Sequence, residues 1–268
     1  MNRIVSMSRG LVARFCALTL VASVAACANV SQFKTGSIGH GGQPLTDMSE
    51  TELARAETAL ATAHAADPAD RSIGIGYATV LRMGGRDGEA VDVMRAVATH
   101  HPDDPIVLAS YGKAQAAVGA LDDALDTIRR AQTAGGPSDQ PDWLLLSAEG
   151  AILDQLDRSE EARRRYREAL DIAPDEPSIL SNIGMSYLLS GDLIVAESYL
   201  SRAAAAPGAD SRMRQNLALV IGLQGRVAEA ERVARAELSV EQAEANVAYL
   251  HAILGQQRAS AAQTDQNG

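Results

Sequence analysis

Aromatic side chains make up only 3% of these 268 residues, with two phenylalanines and a single tryptophan among them. Sheets fill their faces with β-branched and aromatic residues, so this scarcity, beside alanine in nearly every segment, argues for closely packed helices. Two cysteines, Cys16 and Cys27, are too few for a disulfide framework. Twenty-four basic residues stand against 34 acidic ones, a formal net charge of −10, and no basic stripe with interleaved aromatics occurs. Such a chain is repelled by phosphate backbones, so no nucleic-acid partner is expected. Missing too are Gly-x-Ser-x-Gly, His-Glu-x-x-His, Cys-x-x-Cys and the P-loop. No catalytic residue, metal, cofactor or small-molecule substrate is therefore expected. Gly74-Ile75-Gly76 lacks the third glycine and the preceding strand of a dinucleotide loop. His100-His101 has no third ligand nearby and reads as an exposed helix end. Asp122-Asp123 and the mixed run Glu160–Arg165 read as solvated faces at helix starts, where carboxylates suit the helix dipole.

What is present begins with the N-terminus. Arg3, Arg9 and Arg14 form a positive leader with no acid before Asp47, followed by a charge-free stretch from Phe15 to Ala26. About twelve residues of helix rise only about 18 Å, short of a bilayer core of about 30 Å, so residues 1–26 read as a signal peptide rather than a membrane span. Val24-Ala25-Ala26-Cys27 resembles the bacterial lipobox. That resemblance implies cleavage before Cys27, acylation of its thiol and, with Ala28 in place of an Asp, an outer-membrane anchor facing the periplasm. The alternative is cleavage at a nearby Ala-x-Ala-like site and release of a soluble chain. Loss of residues 1–26 removes three arginines and no acid, taking the charge from −10 to −13. Residues 27–45, rich in glycine, read as the lipidated cysteine and a flexible tether spanning about 20–25 Å as a coil.

Beyond residue 45 the sequence repeats itself. Ala90, Ala124, Ala162, Ala196 and Ala230 recur at spacings of 34, 38, 34 and 34. Twelve residues before each stands a small residue: Ala78, Gly112, Gly150, Gly184, Ala218. Five residues before each stands Gly85, Gly119, Gly191 or Gly225, with Asp157 the exception. Pro68, Pro102 and Pro174 follow Ala56, Ala90 and Ala162 by twelve. Two antiparallel helices crossing where side chains are small, a glycine joining them and a proline ending the second account for these offsets. They resemble the tetratricopeptide (TPR) repeat, which implies an all-α solenoid, a right-handed superhelix of antiparallel helix pairs. The expected units are 71–104, 105–138, 143–176, 177–210 and 211–240, with four extra residues in the loop 135–142. Tyr77, Leu81 and Met94, or Leu180, Ile183, Tyr187 and Leu200, should fill the crossings. Ser49 and Glu52 spell a capping box for an N-terminal capping helix, and Ser239 with Gln242 another for a last helix to about Gln257. The solenoid with its caps would occupy 46–257 and a disordered tail 258–268.

In TPR proteins the first helices line the concave face. Alignment of the units places Asn182 and Asn216 in register, and Asn246 repeats the local pattern in the last helix. The resemblance implies that an asparagine there grips the backbone of an extended peptide, since its amide both donates and accepts. Ser178, Ser181, Met185, Arg212, Gln215 and Leu219 are its expected neighbours. The stretch Pro177–Leu254, with Ser181-Asn182-Ile183-Gly184-Met185-Ser186-Tyr187 and Arg214-Gln215-Asn216-Leu217-Ala218-Leu219, resembles the TadD-like TPR lipoproteins of the tight-adherence (Tad/Flp) pilus system. That resemblance implies a scaffold for pilus biogenesis without catalysis, whose partners are pilus assembly proteins, the outer-membrane secretin and associated lipoproteins. A pilotin-like or envelope-assembly TPR lipoprotein of another secretion or pilus system is the alternative within the same fold. A cell-wall enzyme or its activator is the alternative outside it.

Overall fold

A computed structural model describes residues 49–134 and 142–235. The expected signal peptide, Cys27, the tether, most of the 135–142 loop, Asn246, the last helix and the tail lie outside them. Among the described residues every regular element is helical, and there are eleven helices. These are α1 (Glu50–Ala66), α2 (Arg71–Met83), α3 (Asp87–His100), α4 (Pro105–Ala117), α5 (Leu121–Thr133), α6 (Trp143–Gln155), α7 (Ser159–Ile172), α8 (Pro177–Leu189), α9 (Leu193–Ala205), α10 (Ser211–Leu223) and α11 (Val227–Arg235). The capping box opens α1 as expected: the backbone N–H of Ser49 donates to Glu52 Oε2 at 2.8 Å, and the Glu52 N–H to Ser49 Oγ at 3.4 Å.

The first helices of the five units, α2, α4, α6, α8 and α10, are each 13 residues long. Each starts behind a carboxylate: Asp70, Asp104, Asp142, Glu176 and Asp210 accept from backbone N–H groups of the first turn. A carboxylate there satisfies orphan donors and meets the positive end of the helix dipole. Part of the chain's acidity thus starts helices. The helix pairs turn through left-handed residues at Gly85, Gly119, Gly191 and Gly225, with φ of 72°, 78°, 82° and 85°. Asp157 takes the same conformation at φ 59°, among the described residues the one non-glycine that does so. It completes the turn at the cost of a Cβ crowded against the backbone.

The chain divides into two compact units after Arg165. In the unit ending there, α2 packs on α3 and α4 on α5, with α2 also touching α4, and α4 touching α6. Its core joins Ile75, Leu81, Val91, Met94, Val97 and Val107. In the unit beginning at Tyr166, α8 packs on α9, α9 on α10 and α10 on α11, while α8 touches α10. Leu188, Leu200, Val220 and Ile221 fill its core. In both, consecutive helices pair and the first helices of neighbouring repeats meet. The repeat alanines Ala90, Ala124, Ala162 and Ala196 are fully buried and Ala230 nearly so. At the crossings there is no room for more: a Cβ on Gly112 would lie 2.8 Å from Ile128 Cγ1, and one on Gly184 2.6 Å from Leu200 Cγ. Gly74, set aside above as a dinucleotide-loop residue, has the same task, since a Cβ there would run into Val97 Cγ2.

Two surface readings need correction. His100 is exposed, but His101 is partly buried, its Nε2 2.6 Å from the carbonyl oxygen of Ala69, which ties the end of α3 to the turn before α2. The run Glu160–Arg165 is more than a solvated face: Arg163 is buried, and Arg165 Nε lies 3.2 Å from Glu149 Oε2. Asp122 and Asp123 are exposed in the first turn of α5, as expected.

Candidate functional site

The residues expected to form a groove lie on α8, α10 and the turns that start them. Their side chains interact locally before they can meet any ligand. Ser178 Oγ donates to Glu176 Oε1 at 2.7 Å, reinforcing the cap of α8. Arg212 Nη2 donates to Asp210 Oδ2 at 3.0 Å, and Gln215 Nε2 to Ser211 Oγ at 3.2 Å. Met185 and Leu219 are partly buried against the core of their unit. Ser181 is buried rather than lining an open face, and its hydroxyl accepts from Asn216 Nδ2 at 3.3 Å.

That bond joins two first helices one repeat apart. It uses one of the two Nδ2 hydrogens of Asn216 and leaves its carbonyl oxygen, on a side chain still partly exposed. Asn182 is also partly exposed and already engaged within the protein. Asn216 therefore serves twice: it braces α10 against α8 and presents an amide at the face where these helices meet. The face can bind by hydrogen bonds and apolar contact. Among the described residues no group of three or more His, Cys, Asp or Glu could hold a metal ion, and no helix is long and apolar enough to cross a membrane.

Glu149 on α6 belongs to no motif and is 1% exposed. Its carboxylate accepts from Arg129 Nε at 2.9 Å and Gln132 Nε2 at 2.9 Å, both on α5, and faces Arg165 on α7. Both arginines are about 40% exposed, at 42% and 38%, so water still reaches the cluster from their side. It fixes three consecutive helices in register. The aligned positions in other units are Tyr77, Tyr111, Ile183 and Leu217, and a lone Glu among them is the trace that could have exposed it.

In the other unit Arg226 Nη1 bonds both carboxylate oxygens of Glu197, at 2.9 and 2.8 Å, while Gln224 Nε2 reaches Glu197 Oε2 at 2.7 Å. These bonds hold the Glu197 carboxyl below its ordinary range, the one from Gln224 contributing most. They tie the turn before α11 to α9.

No family model and no curated protein matches the sequence. Solved structures do match in fold. PilW, described as a widely conserved type IV pilus biogenesis factor, is 15% identical with a TM-score of 0.58, over 76% of this chain and 91% of its own. A tetratricopeptide repeat protein from Parabacteroides merdae is 15% identical with a TM-score of 0.58, over 78% of this chain and 82% of its own. PilF of Pseudomonas aeruginosa is 16% identical with a TM-score of 0.50, over 69% and 81%. With helices paired consecutively, the crossings closed by small residues and the same fold in these structures, the chain is an all-α protein of the TPR fold.

Proposed function

We propose that the chain is a non-enzymatic scaffold of pilus biogenesis, held at the periplasmic side of the outer membrane by acyl chains on Cys27 and receiving an extended segment of a pilus-machine protein on its first-helix face. The observation that carries the binding reading is the pairing of Asn216 with Ser181 beside Asn182, which sets amides one repeat apart on α8 and α10. An extended peptide exposes alternating N–H and C=O groups, and a row of fixed amides meets both. Binding without bond making is the mechanism.

The pilus assignment draws on the resemblance of Pro177–Leu254 to TadD-like lipoproteins, and the secretin is the partner that resemblance names. The TPR fold shared with PilW, a type IV pilus biogenesis factor, is compatible with it and also keeps the pilotin-like alternative open. The test is deletion of the gene in its own host, followed by assay of heat-resistant secretin multimers in outer-membrane fractions. Multimers should be lost, restored by the wild-type gene, and not restored by Asn182→Ala/Asn216→Ala. Rescue by Cys27→Ala would refute the anchor. Unchanged multimers with intact pili would refute the Tad assignment and leave the fold and the face in place.

A further inference from the structure

The last repeats carry an aliphatic block that the other unit lacks. Met185 and Leu189 follow Asn182 by three and seven residues on α8, and Leu219 and Leu223 follow Asn216 by the same steps on α10. Residues at these steps share one helix stripe. The two stripes run side by side, since α8 touches α10 and the Asn216 amide reaches Ser181 Oγ at 3.3 Å. All four side chains are partly exposed, and Met185, Leu219 and Leu223 rest on the core around Leu188, Val220 and Ile221. At the aligned positions the first helices of the other unit carry Thr79 and Met83, Lys113 and Ala117, and Ala151 and Gln155, so the block does not recur there.

Charge is missing from the block. Of the whole chain 22% is charged, yet α8 contains no charged residue and α10 only Arg212 and Arg214, both ahead of Asn216. The charges that start these helices are engaged at home. Glu176 accepts from the backbone N–H and the hydroxyl of Ser178, and Asp210 from the N–H of Met213 and from Arg212. Arg214 donates to the carbonyl oxygen of Ala209. A charged ligand residue set down on Met185 and Leu219 would lose its hydration and meet no counter-charge. An aliphatic one would complete the burial of the block.

We infer that this block selects the ligand of the first-helix face: an uncharged extended segment of a partner protein, with aliphatic side chains on alternate residues. Alternate side chains of an extended chain lie on the same side, so one set settles on Met185, Leu189, Leu219 and Leu223. The main chain between them keeps an N–H for the carbonyl oxygen of Asn216. The match is one of charge as well as shape, a neutral segment on a neutral patch of an acidic protein. The inference rests on the scaffold reading above and adds a chemical class of ligand to it.

The test uses the purified full chain with 13C-methyl methionine, followed by NMR, with Met185→Leu assigning the resonance. Three pools of acetylated hexapeptide amides serve as probes: Leu, Ile or Val alternating with Ser or Gln, the same pool with Asp in the aliphatic places, and the same with Lys there. The aliphatic pool should move the Met185 methyl and leave Met83, on the other unit, in place. The Asp and Lys pools should bind more weakly by about tenfold or more. The double variant Leu189→Gln/Leu223→Gln should weaken the aliphatic pool by about tenfold. Glutamine already stands at the aligned position 155, and unmoved methyls of the buried Met94 and Met213 would show that the variant is folded. Equal binding of the three pools, or undiminished binding by the folded variant, overturns the inference. So does decanoate moving Met185 as far as the aliphatic pool does, since that marks an acyl-chain site. Equal movement of the Asn216 side-chain amide by all three pools with Met185 unmoved would leave the scaffold reading intact and sink this one alone.

Discussion

Replacement of Gly184 by alanine separates helix propensity from packing at a single methyl group. In an open helix the change would help by about 1 kcal/mol, because glycine has more backbone freedom to lose. On α8 the new Cβ would stand 2.6 Å from Leu200 Cγ, 3.0 Å from Leu200 Cδ2 and 3.1 Å from the carbonyl oxygen of Ala196. Leu200 is fully buried and the oxygen belongs to the backbone of α9, so neither can swing aside. Overpacking of this kind costs about 3 kcal/mol at the upper end of its range, leaving a net loss of about 2 kcal/mol. For a domain of this size that lowers Tm by roughly 4–8 °C in a thermal melt followed by circular dichroism. Gly88 is the control: it lies in α3 with nothing within 4 Å of its would-be Cβ, so Gly88→Ala should stabilise by about 0.5 kcal/mol. In a Leu200→Ala background most of the penalty at Gly184 should disappear, leaving the part due to the Ala196 carbonyl oxygen, a coupling that a double-mutant cycle measures. If Gly184→Ala raised Tm as Gly88→Ala does, the close crossing of α8 and α9 would be wrong.

Asp157→Gly should raise stability by about 1 kcal/mol in urea denaturation, since it removes a Cβ from a left-handed turn that four other repeats close with glycine. Glu149→Gln should cost about 2 kcal/mol in the same assay by weakening bonds to Arg129, Gln132 and Arg165, whereas Glu149→Leu should be close to neutral, because both arginines can turn to water. Lys113 has a sharp pH signature. Its folded value of about 8 lies below the ordinary 10.5, so between these pH values the unfolded chain holds a proton that the folded one does not, and stability must rise with pH. The gain is about 3 kcal/mol across that window, with the full penalty present below pH 8. The difference between wild type and Lys113→Met in denaturation midpoints from pH 7 to 10.5 reads it, and a constant difference would contradict the desolvation of this partly exposed lysine.

The repeat period was legible because each conserved offset is enforced by sterics. A crossing admits only alanine or glycine, a left-handed turn prefers glycine, and proline ends a helix, so Ala90 to Ala230, Gly85 to Gly225 and Pro68 to Pro174 all stand where the pattern places them. The carboxylate caps share that 34, 38, 34, 34 spacing, from Asp70 to Glu176 and Asp210, yet they were hidden in a generally acidic chain. The binding face was legible only in outline. Register put Asn182 and Asn216 on neighbouring first helices, but it could not show that Ser181 is buried and spends its hydroxyl on Asn216. Glu149 and Lys113 were invisible for a related reason: neither recurs, and what makes them unusual is the density around them.

The central claim is that the first-helix face, rather than the outside of the repeats, meets a partner. The measurement that tests it most directly is in-cell photo-crosslinking from a benzoylphenylalanine placed at Met185 on α8 or at Ile194 on α9, the latter 78% exposed, with adducts identified by mass spectrometry. The account predicts that position 185 captures a pilus-machine protein, that Asn216→Ala abolishes the adduct, and that position 194 captures none. Equal capture from both positions, or a position-185 adduct indifferent to Asn216, would contradict it.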